Sequence, residues 1–138
     1  MAKVKIGSNA TFSGGQKGLI YLGNEYAYAY SGVVDLVGAS TATQLEFKTG
    51  KHIVVGEYTF GVDANDIDSN SYFGFLVSLN GVLMYQRSAR AASSGNWSLF
   101  NPLPLIIPPL TTVKIEAETT DSGGTTHSYG TFIGRIYD

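Results

Sequence analysis

A run of oxygen-bearing side chains between residues 63 and 70 is the first feature whose residue types and spacing suggest chemistry. Its Asp and Asn residues recur at close spacing, as Asp63-x-Asn65-Asp66-x-Asp68-x-Asn70. Calcium prefers such oxygen ligands, but an EF-hand loop also needs Gly at its sixth position and Glu at its twelfth. Both are missing whether the loop is counted from Asp63 or from Asp66. We therefore predict a polar loop that caps its own turns and holds no metal, with calcium binding as the open alternative.

The two histidines, His52 and His127, are the next candidates for chemistry. Neither lies beside a nucleophile-elbow motif, and they are not at metal-ligand spacing from each other. The segment Thr126-His127-Ser128 is interpreted as part of a loop that leads into the last strand. We predict no catalytic residue, no enzymatic activity and no cofactor.

A third group, Arg87, Arg90 and Trp97, has the side chains that bind sugars or the carboxylates of a protein partner. Loops of a β-sandwich commonly display such sites. A lone Trp on a loop is also typical of the hot spots of protein interfaces. We favour a protein interface over a sugar site for this group.

Composition limits the possible partners of the chain. It has 138 residues, a net charge of −2, 14% charged residues and no cysteine. Without a basic patch the chain is not expected to bind nucleic acid directly. No signal-peptide pattern and no apolar run long enough to span a membrane are present, so we expect no membrane partner. We expect the chain to be made and used on the cytosolic side, or to be released by something other than secretion.

The segment from Tyr72 to Arg87 predicts the central β-hairpin, because Asn80-Gly81 joins two apolar runs there. A two-residue turn predicts that Leu79 opposes Val82, with Val77 opposite Met84 and Phe75 opposite Gln86 on the core face. The other face would then carry Leu76, Leu83 and Tyr85. That face is too apolar for water alone, and we predict that it forms an oligomer or partner interface.

The remaining pattern predicts an all-β fold: an antiparallel jelly-roll or Greek-key β-sandwich of seven to eight strands without significant helix. Residues 1–24 are interpreted as a partly extended N-terminal arm, and residues 25–138 as the sandwich domain. In the first strand the tyrosine stripe is expected to be a packed face with its hydroxyls at the rim, and a ligand platform is the alternative. The stripe consists of Tyr26, Tyr28 and Tyr30.

Short motifs in the second half resemble the C1q and tumour-necrosis-factor-like jelly rolls. They are a Gly-x-Tyr-x-Phe strand (residues 56–60), the Leu79-Asn80-Gly81 turn and the closing Thr131-Phe132-Ile133-Gly134. The resemblance covers residues 50–138 and implies a trimer. The whole chain also resembles the small structural proteins of tailed bacteriophages, above all capsid decoration proteins and fibre knobs. Residues 45–58 and 105–118 carry that likeness.

These resemblances imply a virion structural protein that is made in the host cytoplasm. We expect a homotrimer that decorates the outside of a phage head and contacts the major capsid protein or another virion protein. The alternatives are a receptor- or carbohydrate-binding fibre knob and a soluble C1q-like ligand of cellular origin. The residues predicted to form the oligomer or partner interface are Leu76, Leu83, Tyr85, Arg87 and Trp97.

Overall fold

The computed structural model describes residues 19–23, 25–63, 70–90 and 97–137, with the backbone alone for residues 97–99. These residues form β-strands joined by turns, and they contain no helix that could cross a membrane. The strands are rich in Val, Ile, Tyr, Phe and Thr, the residues that suit a pleated surface. They are β1 Ile20–Leu22, β2 Tyr26–Val37, β3 Ser40–Lys48, β4 Ile53–Asp63, β5 Tyr72–Leu79, β6 Val82–Arg90, β7 Trp97–Leu99, β8 Leu103–Ile107, β9 Thr112–Thr119 and β10 Thr125–Tyr137.

The strands pair into two antiparallel sheets. The six-stranded sheet has the order β1-β2-β10-β4, and β4 also pairs with both β7 and β8. The four-stranded sheet has the order β3-β9-β5-β6. We leave out the three-residue strands β1 and β7 and number the other eight strands from 1 to 8 along the chain. Their order across the first sheet is then 1-8-3-6, and their order across the second sheet is 2-7-4-5. That nested order is jelly-roll wiring, so the predicted all-β jelly-roll sandwich is confirmed.

The core between the sheets is built from aromatic rings. Tyr58, Phe60 and Phe132 of the six-stranded sheet and Phe47 and Phe75 of the four-stranded sheet are fully buried. The ring centroid of Phe75 lies 4.9 Å from that of Tyr58 and 5.4 Å from that of Phe60. Burying such a side chain contributes roughly 1.5–3 kcal/mol, so these contacts account for much of the attraction between the sheets.

A buried polar network crosses this core. The Tyr58 hydroxyl donates a hydrogen bond to Gln44 Oε1, and Gln44 Nε2 donates to Ser128 Oγ at 3.2 Å. Ser128 Oγ in turn donates to the carbonyl of Val34 at 3.0 Å. The network joins β3 of one sheet to β2, β4 and β10 of the other. Since an unsatisfied buried polar group costs about 1–3 kcal/mol, these bonds favour a single relative placement of the sheets.

Alkaline pH is expected to destabilise the fold through its buried phenols. Burial raises the pKa of Tyr58 far above the ordinary value, and burial also raises that of Tyr21 despite a hydrogen bond from the Gly50 N–H. In the unfolded chain both phenols ionise near pH 10. Above that pH the unfolded state binds fewer protons, so the stability that is complete below about pH 10 falls by up to ~1.4 kcal/mol per pH unit for each phenol.

Urea denaturation between about pH 8 and about pH 11 measures this loss. The Tyr58→Phe variant is the control, because it removes one ionisable group and keeps the ring. Its stability should be lower at neutral pH, since Gln44 Oε1 loses its donor, but should fall less steeply above pH 10. The same slope in both proteins would contradict the role of Tyr58.

Two predicted boundaries are corrected by the structure. The last strand begins at Thr125, so Thr126-His127-Ser128 belongs to β10 and not to a loop. The small and polar residues from Ser88 to Trp97 predict a long mobile connection, but strand β6 continues to Arg90. The long strand β10 exists because it pairs with β2 and β4 at once, and that pairing overrides the local loop signal.

Part of the predicted N-terminal arm belongs to the sandwich. Leu19 and Tyr21 are buried, and Ile20–Leu22 pairs with β2. Residues 1–18 of the arm lie outside the described residues, so the division into arm and domain stays a prediction.

Candidate interaction surface

The outer face of the four-stranded sheet is mostly polar. One row across it places Leu76, which is half-buried, between Glu116 and Gln86. In the next row Lys114 lies beside Ser78, and its Nζ is 4.0 Å from Glu116 Oε2. Alternating charges of this kind are typical of a face that meets water.

The hairpin contains a β-bulge that the sequence did not reveal. Its pairing matches the predicted register only for the two pairs next to the Asn80-Gly81 turn. Met84 is then skipped, and Val77 pairs with Tyr85. A shift of one residue moves side chains to the opposite face, so the predicted register beyond those two pairs is wrong. Tyr85 lies on the inner side of the sheet and not beside Leu76.

Tyr85 and Arg87 contact each other at the margin of the core. The Tyr85 ring centroid is 6.1 Å from that of Phe75, and Arg87 Nε donates a hydrogen bond to Tyr85 Oη at 2.9 Å. The Arg87 guanidinium also lies 5.8 Å from the ring centroid of Phe100 and donates to the carbonyl of Asn101 at 3.2 Å. These contacts within the chain give both side chains a structural role.

The predicted interface residues therefore do not form one surface. Leu76 and Leu83, which pairs with Ser78, both lie on the outer face of the four-stranded sheet, whereas Tyr85 and Arg87 line the core margin. The backbone of Trp97 pairs with Asp63, and its side chain lies outside the described residues. The assignment of these five residues to an oligomer or partner interface stays a prediction.

The outer face of the six-stranded sheet is apolar. Strands β2, β10, β4 and β8 all direct large apolar side chains outward, where they are more than a third exposed. The exposed fraction reaches 57% at Ile133 in the middle of the face and 70% at Ile106 on β8. The large exposed apolar side chains of this apolar face are Leu22, Tyr26, Tyr30, Val33, Val37, Ile53, Val55, Ile106, Ile133 and Tyr137.

The tyrosine stripe of β2 belongs to this apolar face. Tyr26 and Tyr30 are nearly half exposed and Tyr28 is partly buried, whereas Ala27 and Ala29 are buried in the core. The predicted packed tyrosine face is therefore wrong. The reason lies in the neighbouring strands, where large rings already fill the inner layer and leave room only for methyl groups.

The size of the apolar face indicates a role in binding. Four strands spaced ~4.8 Å apart and ~20 Å of chain from Ile53 to Thr59 give a sheet area of roughly 400 Å², which includes polar positions such as Glu57 and Thr59. The largest apolar patch on a typical monomer covers about 300–600 Å² and is often functional. A standard protein interface removes about 800 Å² from each partner, so this face would supply about half of one.

A concavity of about 380 Å³ lies within the apolar face. Gly56 on β4 and Gly134 on β10 lie side by side at its floor. Glu57 and Arg135 line it, and the Arg135 guanidinium lies 5.2 Å from the ring centroid of Tyr26. Among the described residues no ion pair joins Glu57 or Arg135 to another side chain, so two opposite charges border an apolar hollow.

The hairpin tip is a second exposed apolar feature. Val82, Leu83 and Met84 follow the turn and are 60%, 51% and 60% exposed. The turn is rigid: the Asn80 N–H donates to the carbonyl of Thr112 at 2.8 Å, and the Thr112 N–H donates to Asn80 Oδ1 at 2.9 Å. Asn80 and Gly81 both have positive φ, at 50° and 80°, as a type I′ turn requires.

Two polar features lie elsewhere. A groove of about 490 Å³ on the four-stranded sheet is lined by Tyr72, Gln86 and Glu118, and Gln86 Nε2 donates to Glu118 Oε1 at 2.9 Å. On the other sheet His127 Nδ1 lies 2.6 Å from Asp35 Oδ1. The described part of the chain contains no group of three side chains suited to hold a metal ion, and residues 64–69 of the calcium alternative lie outside it.

No protein-family model and no curated protein matches the sequence. The fold is similar to a chain in the structure of infectious bursal disease virus strain Gt, with 18% identity, a TM-score of 0.54, and coverage of 87% of this chain and 35% of that one. It is also similar to a chain of the VP2 subviral particle of the same virus, at 15% identity and a TM-score of 0.52, covering 81% and 32%. The present chain spans about a third of these proteins. The likeness shows the fold alone.

The sequence contains a signal for the apolar face that its interpretation missed. Tyr26, Tyr28 and Tyr30 alternate with alanines, and Val55 and Ile133 occupy outward positions on β4 and β10. Each strand alone shows apolar residues on both faces, which does not reveal which face is buried. Only the order of strands in the sheet brings these residues together.

Proposed function

We propose that the chain is a non-enzymatic structural protein of a virus particle, a homotrimer that decorates the outside of a phage head. The observation that carries this proposal is the contrast between its two outer faces. One is mostly polar, and the other exposes large apolar side chains over a sheet area of roughly 400 Å² that contains a hollow. Such a surface on a small sandwich is typical of contact with a protein partner.

The fold agrees with a structural role in a virus particle. Jelly rolls are common among proteins of viral particles, and the chains that resemble this one in fold come from structures of a virus and of a subviral particle. Fold alone does not determine function, so the apolar face carries the argument and the likeness only agrees with it.

The trimer follows from the resemblance to the C1q and tumour-necrosis-factor-like jelly rolls. Three copies joined by their apolar features would present three equivalent sites to the shell. Attachment through several sites at once can exceed the affinity of a single site by 10²–10⁴-fold. A decoration protein can therefore bind firmly to a head through individually weak contacts with the major capsid protein or another virion protein.

Immunogold electron microscopy tests the proposed function directly. An antibody against the purified chain is applied to virus particles produced by cells that carry its gene. Gold on the outer surface of the heads is the expected result, and preabsorption of the antibody with the purified chain should abolish it. Gold at fibre tips would favour the receptor-binding knob instead, and unlabelled particles would contradict a place on the virion exterior.

A further inference from the structure

We propose that the hairpin tip of one copy docks in the concavity of the apolar face of the next copy. The tip consists of Val82, Leu83 and Met84, and the concavity is the hollow above Gly56 and Gly134. This inference rests on the self-assembly in the proposed function and identifies the two surfaces that meet. Neither surface is the interface predicted from the sequence, although Leu83 belongs both to that predicted interface and to the tip.

The tip has the properties of a docking element. Three consecutive exposed apolar residues are unfavourable on a soluble surface unless they serve a function. The bulge at Met84 and the Asn80 bonds to Thr112 fix their positions before binding. A preorganised element loses little conformational entropy when it docks, so more of its burial appears as affinity.

The concavity is complementary to such a tip. Its lining combines apolar side chains such as Val55 and Ile133 with the opposite charges of Glu57 and Arg135. An apolar centre with polar groups at its border is the common organisation of protein interfaces. The charges can fix the orientation of a partner without being buried at the centre.

A second copy is the partner that accounts for both features. The tip extends the four-stranded sheet and the concavity lies on the outer side of the six-stranded sheet, so the core separates them within one copy. Each copy therefore offers one tip and one concavity to different neighbours. In one such contact the tip of one copy and the apolar face of the next cover each other, so both exposed apolar features are removed from water together.

Contacts between two different surfaces are heterologous, and they close into a ring when the rotation between copies allows it. A face-to-face dimer would instead cover the apolar face of both copies and leave both tips exposed. The two arrangements therefore differ in whether Leu83 and Met84 are at the interface.

Disulfide cross-linking distinguishes them, because the chain contains no cysteine of its own. Oxidation of the double variant Met84→Cys with Ile133→Cys should yield covalent oligomers on a denaturing gel. The largest of them should contain as many copies as the ring does. The matched control pairs Tyr72→Cys with Ile133→Cys, and it should stay uncross-linked because Tyr72 is exposed at the end of β5 that lies away from the hairpin turn. Covalent dimers of the single variant Ile133→Cys would indicate face-to-face contact and overturn the proposal.

The molar mass of Leu83→Asp, measured by light scattering behind a sizing column, gives an independent readout. This exposed substitution leaves the fold intact, and a monomer is expected where the native chain forms the ring. An unchanged oligomer would overturn the docking of the tip but leave assembly on a virus particle standing. Native oligomers with the expected cross-links but no gold on virions would overturn the proposed function and leave the docking standing.

Discussion

Replacing Gly56 by alanine is expected to lower the free energy of unfolding by about 3 kcal/mol. A Cβ atom at this position would lie 2.3 Å from the carbonyl oxygen of Ile133 and 2.6 Å from the Cα of Gly134. Both are backbone atoms of the paired strand, so no side-chain rotation relieves the contact. It would also lie 2.8 Å from Phe132 Cζ, in a ring that is fully buried. Overpacking of a tight site typically costs about 1–3 kcal/mol, and backbone contacts place this one at the upper end.

Gly123→Ala is the matched control for that substitution. A Cβ there would meet only Asp121 Oδ1 at 3.7 Å, which is an ordinary contact. The change should stay within about 0.5 kcal/mol of the native stability. Urea denaturation followed by tryptophan fluorescence and by far-ultraviolet circular dichroism measures both variants. Equal midpoints for the two alanine variants would mean that β4 and β10 are not as close as the structure has them.

Some elements of the fold are predicted by local sequence patterns alone. Strand β9 alternates cleanly between buried Val113, Ile115 and Ala117 and outward charges, and this local alternation is by itself typical of a strand with one solvated face. The Asn80-Gly81 turn was equally clear, because its dihedral angles depend on two residues. Local signals of this kind do not depend on the rest of the chain, so they are visible in a single sequence.

The bulge at Met84 shows where such prediction fails. The turn sets the register for the first two pairs, but nothing in the local pattern marks an extra residue. Its presence lets Tyr85 and Arg87 turn inward, where Tyr85 meets Phe75 and Arg87 meets Phe100. The packing gained in this way depends on residues far away in the chain. Because the predicted register lacked the extra residue of the bulge, it put Tyr85 and Arg87 on the wrong face of the sheet.

The orientation of β2 depends on distant residues in the same way. Ala29 pairs with Phe132, which in turn pairs with Tyr58 on β4. Two large rings already occupy that row of the core, so the adjoining position on β2 fits a methyl group and the tyrosines face outward. Tyrosine is ordinarily a good core residue, and only knowledge of the strand order reverses the choice. The apolar face therefore emerges from topology.

Replacing Ile133 by aspartate is expected to abolish self-association. Ile133 is 57% exposed in the single chain, so the substitution should cost the fold at most about 1 kcal/mol, from a new carboxylate opposite that of Glu57. In the proposed assembly the same side chain lines the hollow that receives the tip, where that carboxylate would be buried beside Glu57. Removing one partner of a buried charge pair costs about 3–5 kcal/mol, and an unpaired buried charge belongs in the same range. A loss of ~3 kcal/mol corresponds to more than 100-fold weaker association.

Light scattering across a range of concentrations measures this effect, and Tyr72→Asp is its control. Tyr72 is also a large exposed side chain, at 49%, but it lies outside the apolar face and at the end of β5 away from the tip, so its variant should keep the native molar mass. If both variants dissociate, added negative charge alone would explain the result. If neither does, the apolar face is not the surface through which the copies associate.

Mixing the two monomeric variants then separates the possible geometries. Ile133→Asp keeps an intact tip, and Leu83→Asp keeps an intact concavity. In a heterologous assembly one tip still fits one concavity, so an equimolar mixture should form dimers although each variant alone stays monomeric. The dimer cannot grow, because its remaining tip and its remaining concavity each carry an aspartate. A face-to-face interface gives no such rescue, since every contact would need two intact faces and only the Leu83→Asp copies have one.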